Sequence, residues 1–296
     1  MRIVISGASG FIGRALAKAV EDQGHDVVRL VRRAPERPNE VAWNPDKGEI
    51  DARGLADCNA VVHLAGENIA GRWTRAKMLR ILDSRMKGTR LLSQSMGRVG
   101  SRPNVFISAS ATGFYGNRAG ELLTEQSKPG TGFLAEVCRE WEAASWPAAQ
   151  HGLRVVNPRF GMVLSRNGGA LAKMLPAFRL GLGAVLGKGY QHMPWITIDD
   201  AVAAILYVIS DETLAGPINV VAPETVTNER FTDTLARVLH RPALWNAPAM
   251  LLRLAVGKMA DEVLLASANV VPQRLIEAGF RFTWPELGPA LEHLLK

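Results

Sequence analysis

Three glycines, Gly7, Gly10 and Gly13, stand between the apolar run Arg2–Ser6 and a stretch with helical spacing from Phe11 to Gln23, which Gly24 closes. In the loop Gly7-Ala8-Ser9-Gly10-Phe11-Ile12-Gly13 they let the backbone turn tightly and approach a pyrophosphate with no Cβ in the way. A helix starting at Phe11 then offers free N–H groups and the positive end of its dipole to the phosphates. Strand, glycine turn and helix in that order are the context in which this pattern marks a dinucleotide site. The plainer alternative is a tight turn without a ligand. Gly7, Ser9, Gly10, Phe11, Ile12 and Gly13 are the candidate contacts.

The next apolar run ends in Arg29-Leu-Val-Arg-Arg33, and Arg32 follows Gly13 by nineteen residues. A site for NAD would place Asp or Glu there to hold the ribose hydroxyls. No carboxylate stands there, and a guanidinium can meet a 2′-phosphate with two parallel charge-assisted bonds. NADP(H) is therefore the expected cofactor. Arg32 is the first candidate for the phosphate contact and Arg33 the second, with a solvated basic turn as the alternative.

These residues need a frame. The sequence predicts strands over 2–6, 25–33, 60–64, 104–110 and 153–157. Helical spacing covers 11–23, 75–96 and 133–149, the last shortened by Pro147. Strands alternating with helices argue an α/β fold, a Rossmann-type doubly wound parallel sheet. Beyond Pro158 glycine becomes dense from Gly161 to Gly189, which reads as loops around a site. Trp195-Ile-Thr-Ile-Asp-Asp200 then leads into an apolar helix, with Asp199 and Asp200 as its expected caps. From Arg241 prolines separate short helices over 249–256, 260–266 and 272–278. The expected organisation is a dinucleotide-binding domain over 1–240, with substrate-side loops at 158–200, and a small, mainly helical C-terminal cap over 241–296.

The formal charge of the 296-residue chain is +7, from 35 Lys and Arg against 28 Asp and Glu. Such a field favours anionic partners. The cations are scattered, with no basic run interleaved with aromatics, so a nucleic-acid partner is not expected. Cys58 and Cys138 show no metal-ligand spacing and no disulfide framework, so no metal and a reducing, cytoplasmic setting are expected. No apolar run reaches transmembrane length, and no membrane partner is expected. The expected state is a monomer or homodimer acting on a small molecule.

Several segments resemble a known family. Gly-x-x-Gly-x-x-Gly at 7–13, Val61-Val-His-Leu-Ala-Gly66, and Ser108-Ala-Ser-Ala-Thr112 followed by Tyr115-Gly116 resemble the extended short-chain dehydrogenases/reductases, the nucleotide-sugar epimerases and their relatives. More narrowly, Leu64-Ala-Gly-Glu-Asn68, Met174-Leu-Pro-Ala-Phe-Arg-Leu-Gly-Leu-Gly183, Pro194-Trp-Ile-Thr-Ile-Asp199 and Pro272-Gln-Arg-Leu-Ile-Glu-Ala-Gly-Phe280 resemble an atypical "epimerase family protein" branch with a C-terminal domain of unknown function. The resemblance spans essentially the whole chain. It implies a Rossmann fold and NADP binding, and adds Leu64, Ala65, Gly66, Arg85 and Ser108 to the candidate cofactor contacts.

Typical members of the family carry a serine and Tyr-x-x-x-Lys on the following helix. The tyrosine exchanges a proton with substrate oxygen, and the lysine lowers its pKa and holds the nicotinamide ribose. Here that helix reads Phe133-Leu-Ala-Glu-Val-Cys-Arg-Glu-Trp-Glu142. Anchored on Glu142, Leu134 and Cys138 take the two places; shifted by one, Phe133 and Val137 do. Neither register restores the pair. Ser110 fits the expected serine, with Ser108 the second choice, and Arg85 stands where the family has asparagine.

Ser110, Tyr115 and Cys138 are therefore the candidate catalytic groups. Glu67, Asn68, Gln191 and Trp195, with His192, are the candidates on the substrate side. Each has a plainer reading: Tyr115 as packing, Cys138 as a small buried residue, His63 and Trp195 as core. The leading expectation is an NADP(H)-dependent oxidoreductase or epimerase-like protein with a non-standard acid/base set, acting on a small, anionic or nucleotide-linked substrate. The alternative is a catalytically silent NADP(H)-binding sensor or regulator. A nucleic-acid or division-regulator role rests on charge alone.

Overall fold

Short β-branched runs build the centre of the molecule, and the computed structural model describes residues 1–296. Eight strands of the nine-stranded central sheet are, in chain order, β1 (Arg2–Ser6), β2 (Asp26–Val31), β3 (Glu40–Asn44), β4 (Glu49–Ile50), β5 (Ala60–His63), β6 (Val105–Ser108), β7 (Arg154–Phe160) and β8 (Gly216–Val220), and the short ninth, Ser110–Ala111, pairs with the end of β7. Across the sheet their order is β8-β7-β6-β5-β1-β2-β3-β4. All neighbours are parallel except the β3–β4 pair. Ile3, Val4, Ile5, Val61, Val62, Phe106 and Ile107 are buried, as a parallel sheet covered on both faces requires.

Ten α-helices accompany the sheet. They are α1 (Phe11–Asp22), α2 (Arg75–Met96), α3 (Phe133–Ala144), α4 (Trp146–Gln150), α5 (Gly169–Arg179), α6 (Ile198–Ser210), α7 (Asn228–Val238), α8 (Ala249–Val256), α9 (Gln273–Glu277) and α10 (Leu287–Leu295). Leu16 and Val20 of α1 and Ile205 of α6 pack with Ile3, Ile5 and Val62. Leu92 and Met96 of α2 and Ala148 of α4 pack with Val4, Val61 and Phe106. Alternate residues of each strand thus serve opposite layers. The chain leaves β1 towards β2 and β3, then returns to the far side at β5, so the crevice of a doubly wound sheet opens at the carboxyl ends of β1 and β5. No helix is long and apolar enough to cross a membrane.

Three expectations change. The segment over 133–149 is two helices, broken at Ser145, with Pro147 in the first turn of α4, where its missing N–H costs nothing. The strand expected to end at Asn157 runs through Pro158 to Phe160; on the β6 side its pairing lapses after Val156 and resumes with Ser110–Ala111 at Arg159, and Pro158, which lacks an N–H, falls in that gap. The glycine-rich stretch is not only loops: Met162–Ser165 pairs with Trp195–Thr197, α5 follows, and Ala184–Leu186 pairs with Trp245–Ala247.

The tail is woven into the main body. Asn269–Val270 pairs with Leu122–Leu123, Leu275 and Phe280 join the core of α1 and α6, and Leu287, Leu291 and Leu294 pack with Leu171 and Phe231. Carboxylates fasten it. Asp200 accepts the N–H groups of Thr283 and Trp284, both at 2.9 Å, and Glu224 accepts that of Leu287 at 2.6 Å. The helix cap expected of Asp199 and Asp200 is supplied by Thr197, whose hydroxyl accepts the Asp200 N–H; Asp199 pairs with His293 of α10.

Asp200→Ala removes an almost wholly buried acceptor and leaves two backbone donors unpaired. It should destabilise the protein by about 3 kcal/mol and lower Tm by roughly 6–12 °C in thermal unfolding. A drop under about 2 °C would show that the tail is held by its apolar contacts alone.

Candidate cofactor and active site

Gly7 sits at φ +72°, and a Cβ there would lie 2.8 Å from the amide nitrogen of Ala65. A Cβ on Gly13 would lie 2.1 Å from the Gly7 carbonyl oxygen. Both contacts are with backbone and neither can yield, so only glycine fits. The Gly10 N–H donates to the Gly7 carbonyl at 2.8 Å, closing the turn. No side chain caps the start of α1, which leaves its first-turn donors to a ligand. Ser9 and Gly10 are exposed at this lip. The Phe11 ring turns away, onto Gly168 and Gly169, so Phe11 can reach a ligand through its N–H only.

Past β2 the two arginines part. Arg33 makes a two-pronged ion pair with Glu40, Nη1 to Oε2 at 2.9 Å and Nη2 to Oε1 at 2.8 Å. The pair holds the Glu40 carboxyl below the usual carboxylate range. Arg33 is thus a clamp between β2 and β3, and it lines the same cleft as Arg32. Arg32 is exposed and makes no hydrogen bond or ion pair. A cleft of about 520 Å³ opens beside it, walled by Trp43, Asn44, Ile50 and Leu91.

On the other side of the crevice, the loop after β5 carries Leu64, Ala65 and Gly66. A Cβ on Gly66 would come within 3.3 Å of the Arg85 guanidinium carbon. Arg85 Nη1 donates to the carbonyls of Glu67 and Ile81, at 3.0 and 3.1 Å, and the guanidinium lies 4.8 Å from the Trp141 ring centroid. The Glu67 carboxylate accepts Lys77 Nζ at 2.7 Å, and Lys77 holds it below the usual range. Asn68 caps its own turn, its Oδ1 accepting the Ala70 N–H at 2.8 Å. His63 is core: burial pushes its pKa down to about 3, and its Nδ1 shares a hydrogen bond with Ser6.

Ser110 heads a buried polar chain. Its hydroxyl donates to Glu142 Oε1 at 2.7 Å. Glu142 takes two bonds from Arg159, each at 2.8 Å. Arg159 also donates to the Tyr115 hydroxyl at 3.0 Å, and that hydroxyl donates to Asn219 Oδ1 at 2.7 Å. The guanidinium lies 3.5 Å from the Phe114 ring centroid. Ser108 lies deeper, with its hydroxyl buried and unpartnered.

The chain corrects four expectations. Tyr115 is wholly buried, and desolvation raises its pKa, so its hydroxyl serves the network rather than a ligand. Cys138 is buried behind Gly113 and Leu134, and burial pushes its thiol up to about 11. Gln191 is a buried clip whose amide donates to the carbonyls of Leu186 and Leu264 at 2.9 and 3.0 Å. Trp195 is core, its indole N–H donating to the Glu224 carbonyl at 3.0 Å. All four side chains are buried.

Two carboxylates that organise this region escaped the sequence reading. Glu142 lies four residues past Cys138, hence on the same helical face, and that spacing was the signal available. Glu262 accepts the N–H groups of Phe133 and Leu134 at 3.0 and 2.7 Å, capping α3 from the tail. A contact across 128 residues leaves no local signal.

A doubly wound sheet with this loop defines an NAD(P)-binding protein of the short-chain dehydrogenase/reductase type. Residues 3–221 match the NAD dependent epimerase/dehydratase family, and residues 247–294 match a C-terminal domain of unknown function, DUF1731. The chain belongs to that epimerase/dehydratase family, as the motifs around Gly7 and Gly66 implied. An epimerase family protein of Mycobacterium tuberculosis is 44% identical over 290 residues, covering 98% of this chain and 96% of its own. The human epimerase family protein SDR39U1 is 34% identical, with both chains covered in full. A crystal structure of that human protein with NADPH superposes with a TM-score of 0.92 at 32% identity, covering 99% of each chain. A nucleoside-diphosphate sugar epimerase structure from Corynebacterium glutamicum gives a TM-score of 0.82 at 34% identity, and this chain spans 58% of it.

With a pKa near 11, the Cys138 thiol is roughly a thousandth ionised at pH 8. The thiolate is the reactive form. Iodoacetamide should therefore leave Cys138 unmodified in the folded protein at pH 8 and label it once denatured, as read by peptide mass spectrometry. Labelling of the folded protein within minutes would restore Cys138 as a reactive group.

Proposed function

We propose that this protein binds NADP(H) across the carboxyl ends of β2, β1 and β5 and uses it in hydride transfer to or from a small anionic or nucleotide-linked substrate. The observation that carries the reading is Arg32. It is the unpaired cation at the end of β2, and the nearby carboxylate, Glu40, is already neutralised by Arg33. A 2′-phosphate there would meet attraction and no uncompensated negative charge.

The residues present fit the dinucleotide. The cradle at Gly7 and Gly13 is one that a Cβ would fill, and the uncapped start of α1 supplies donors for a pyrophosphate. Gly7, Ser9, Gly10, Ile12 and Gly13 would hold the phosphates, with the Phe11 N–H beside them. Leu64, Ala65 and Gly66 would border the ribose, and Arg32 the 2′-phosphate. The bound human relative supports the choice of NADPH.

When bound, the cofactor supplies or accepts hydride at nicotinamide C4. Ser110, itself buried, donates its hydrogen bond to Glu142 and so keeps its oxygen lone pairs free to accept one from a substrate hydroxyl. Glu142 can then receive a proton through Ser110, while its two bonds to Arg159 fix its position. This pair would stand in for the missing tyrosine and lysine. A second reading, an NADP(H) sensor without hydride transfer, draws on the burial of Tyr115 and Cys138.

Titrations of NADPH and NADH on wild type and Arg32→Ala test the cofactor assignment. NADPH should bind wild type about ten-fold more tightly, and added salt should shrink the difference. Arg32→Ala should abolish it. Equal affinities in the wild type would overturn the reading, and a preference that survives the substitution would move the phosphate contact to another cation.

A further inference from the structure

We infer that Arg85 holds the nicotinamide half of the dinucleotide; this rests on the reading that NADP(H) occupies the crevice. The other buried or half-buried cations near the site have acidic partners: Lys77 with Glu67, Arg159 with Glu142. Arg85 has none. Its contact with Glu67 is to the main-chain carbonyl, and Lys77 already occupies the Glu67 carboxylate. One nitrogen, Nη1, serves two carbonyls, while Nε and Nη2 have no partner. Burial lowers the pKa of Arg85 from its ordinary value, which marks a cation held in a place poor in water. A half-buried charge without a direct ion pair is costly, and such sites concentrate where a ligand completes them.

Position identifies the part of the ligand. The loop after β5 touches the phosphate turn at Ala65, beside Gly7, and touches Arg85 one residue later, at Gly66. Arg85 therefore stands just beyond the phosphate turn on the β5 side, while Arg32 stands on the β2 side. A dinucleotide with its 2′-phosphate at Arg32 and its pyrophosphate on the turn has one direction left, over β5 and β6. Its nicotinamide-side phosphate and ribose hydroxyls carry acceptor oxygens there, and a guanidinium is donor only. Trp141 keeps the guanidinium flat, and the missing side chain at Gly66 leaves the approach open. The indole N–H of Trp141 is itself buried and unpartnered, a second unused donor beside Arg85.

The test separates the two halves of the cofactor. NADPH and 2′,5′-ADP, which carries the adenosine half alone, are titrated calorimetrically into wild type, Arg85→Gln and Arg85→Lys. Arg85→Gln should weaken NADPH at least ten-fold and leave 2′,5′-ADP unchanged, and Arg85→Lys should recover part of the loss. The fluorescence of bound NADPH should shift towards that of free NADPH in Arg85→Gln, reporting a loosened nicotinamide. Unchanged NADPH affinity and fluorescence would overturn the inference, as would an equal loss of both ligands, which marks a purely structural arginine. Should wild type bind neither ligand, the cofactor reading itself falls, whereas 2′,5′-ADP binding without tighter NADPH binding contradicts Arg85 alone. If Arg85→Gln does not fold, Arg85→Lys carries the comparison: weakened NADPH with unchanged 2′,5′-ADP supports the role, and equal loss of both refutes it.

Discussion

The backbone at Gly7 lies against the backbone at Ala65, and Gly13 lies against Gly7, closer than any side chain would permit. This contact fixes the start of α1, the end of β1 and the loop after β5 as one rigid corner. Its consequences run outward. With α1 fixed, its uncapped donors face the crevice; with the β5 loop fixed, Gly66 is set against Arg85. The Phe11 ring, packed on Gly168 and Gly169, ties the same corner to the start of α5. The cradle is thus a product of missing Cβ atoms.

Charge is distributed around that corner with few remainders. Glu40, Glu67 and Glu142 each neutralise a neighbouring cation, and Asp200, Glu224 and Glu262 take backbone N–H groups. The second group of contacts explains why the tail belongs to the body. A carboxylate accepting two main-chain donors fixes both position and direction of the segment it holds. Glu262 carries this into the site, because it caps the helix that bears Leu134, Cys138, Trp141 and Glu142. Alongside the apolar layers, these contacts let the C-terminal residues set the orientation of α3.

Much of this was legible in the sequence, for physical reasons. The strands of the parallel sheet are short β-branched runs, and α2 was bounded correctly at Arg75–Met96, between the capping Thr74 and Gly97. The cofactor loop was legible because its constraint is local: glycines at fixed offsets can only serve a close approach. The acid/base side was not. Tyr115 and Cys138 have reactive side chains, but reactivity depends on exposure, and their burial is decided by Arg159, Asn219 and Gly113, all distant in sequence or silent as motifs. Arg32 and Arg33 looked alike as neighbours. Glu40, across the sheet on β3, distinguishes them. Trp195 and Gln191 sat in a glycine-rich stretch that resembled a loop, and strand pairing at Met162–Ser165 and Ala184–Leu186 drew both inward.

The central claim is that one dinucleotide lies from Arg32, over the Gly7–Gly13 turn, to the carboxyl ends of β5 and β6. A crystal structure of the protein with NADPH measures it directly. The account predicts a 2′-phosphate oxygen within about 3 Å of the Arg32 guanidinium, with the pyrophosphate on the first-turn N–H groups of α1. A 2′-phosphate bound by other residues, or a cofactor lying outside this crevice, would contradict it.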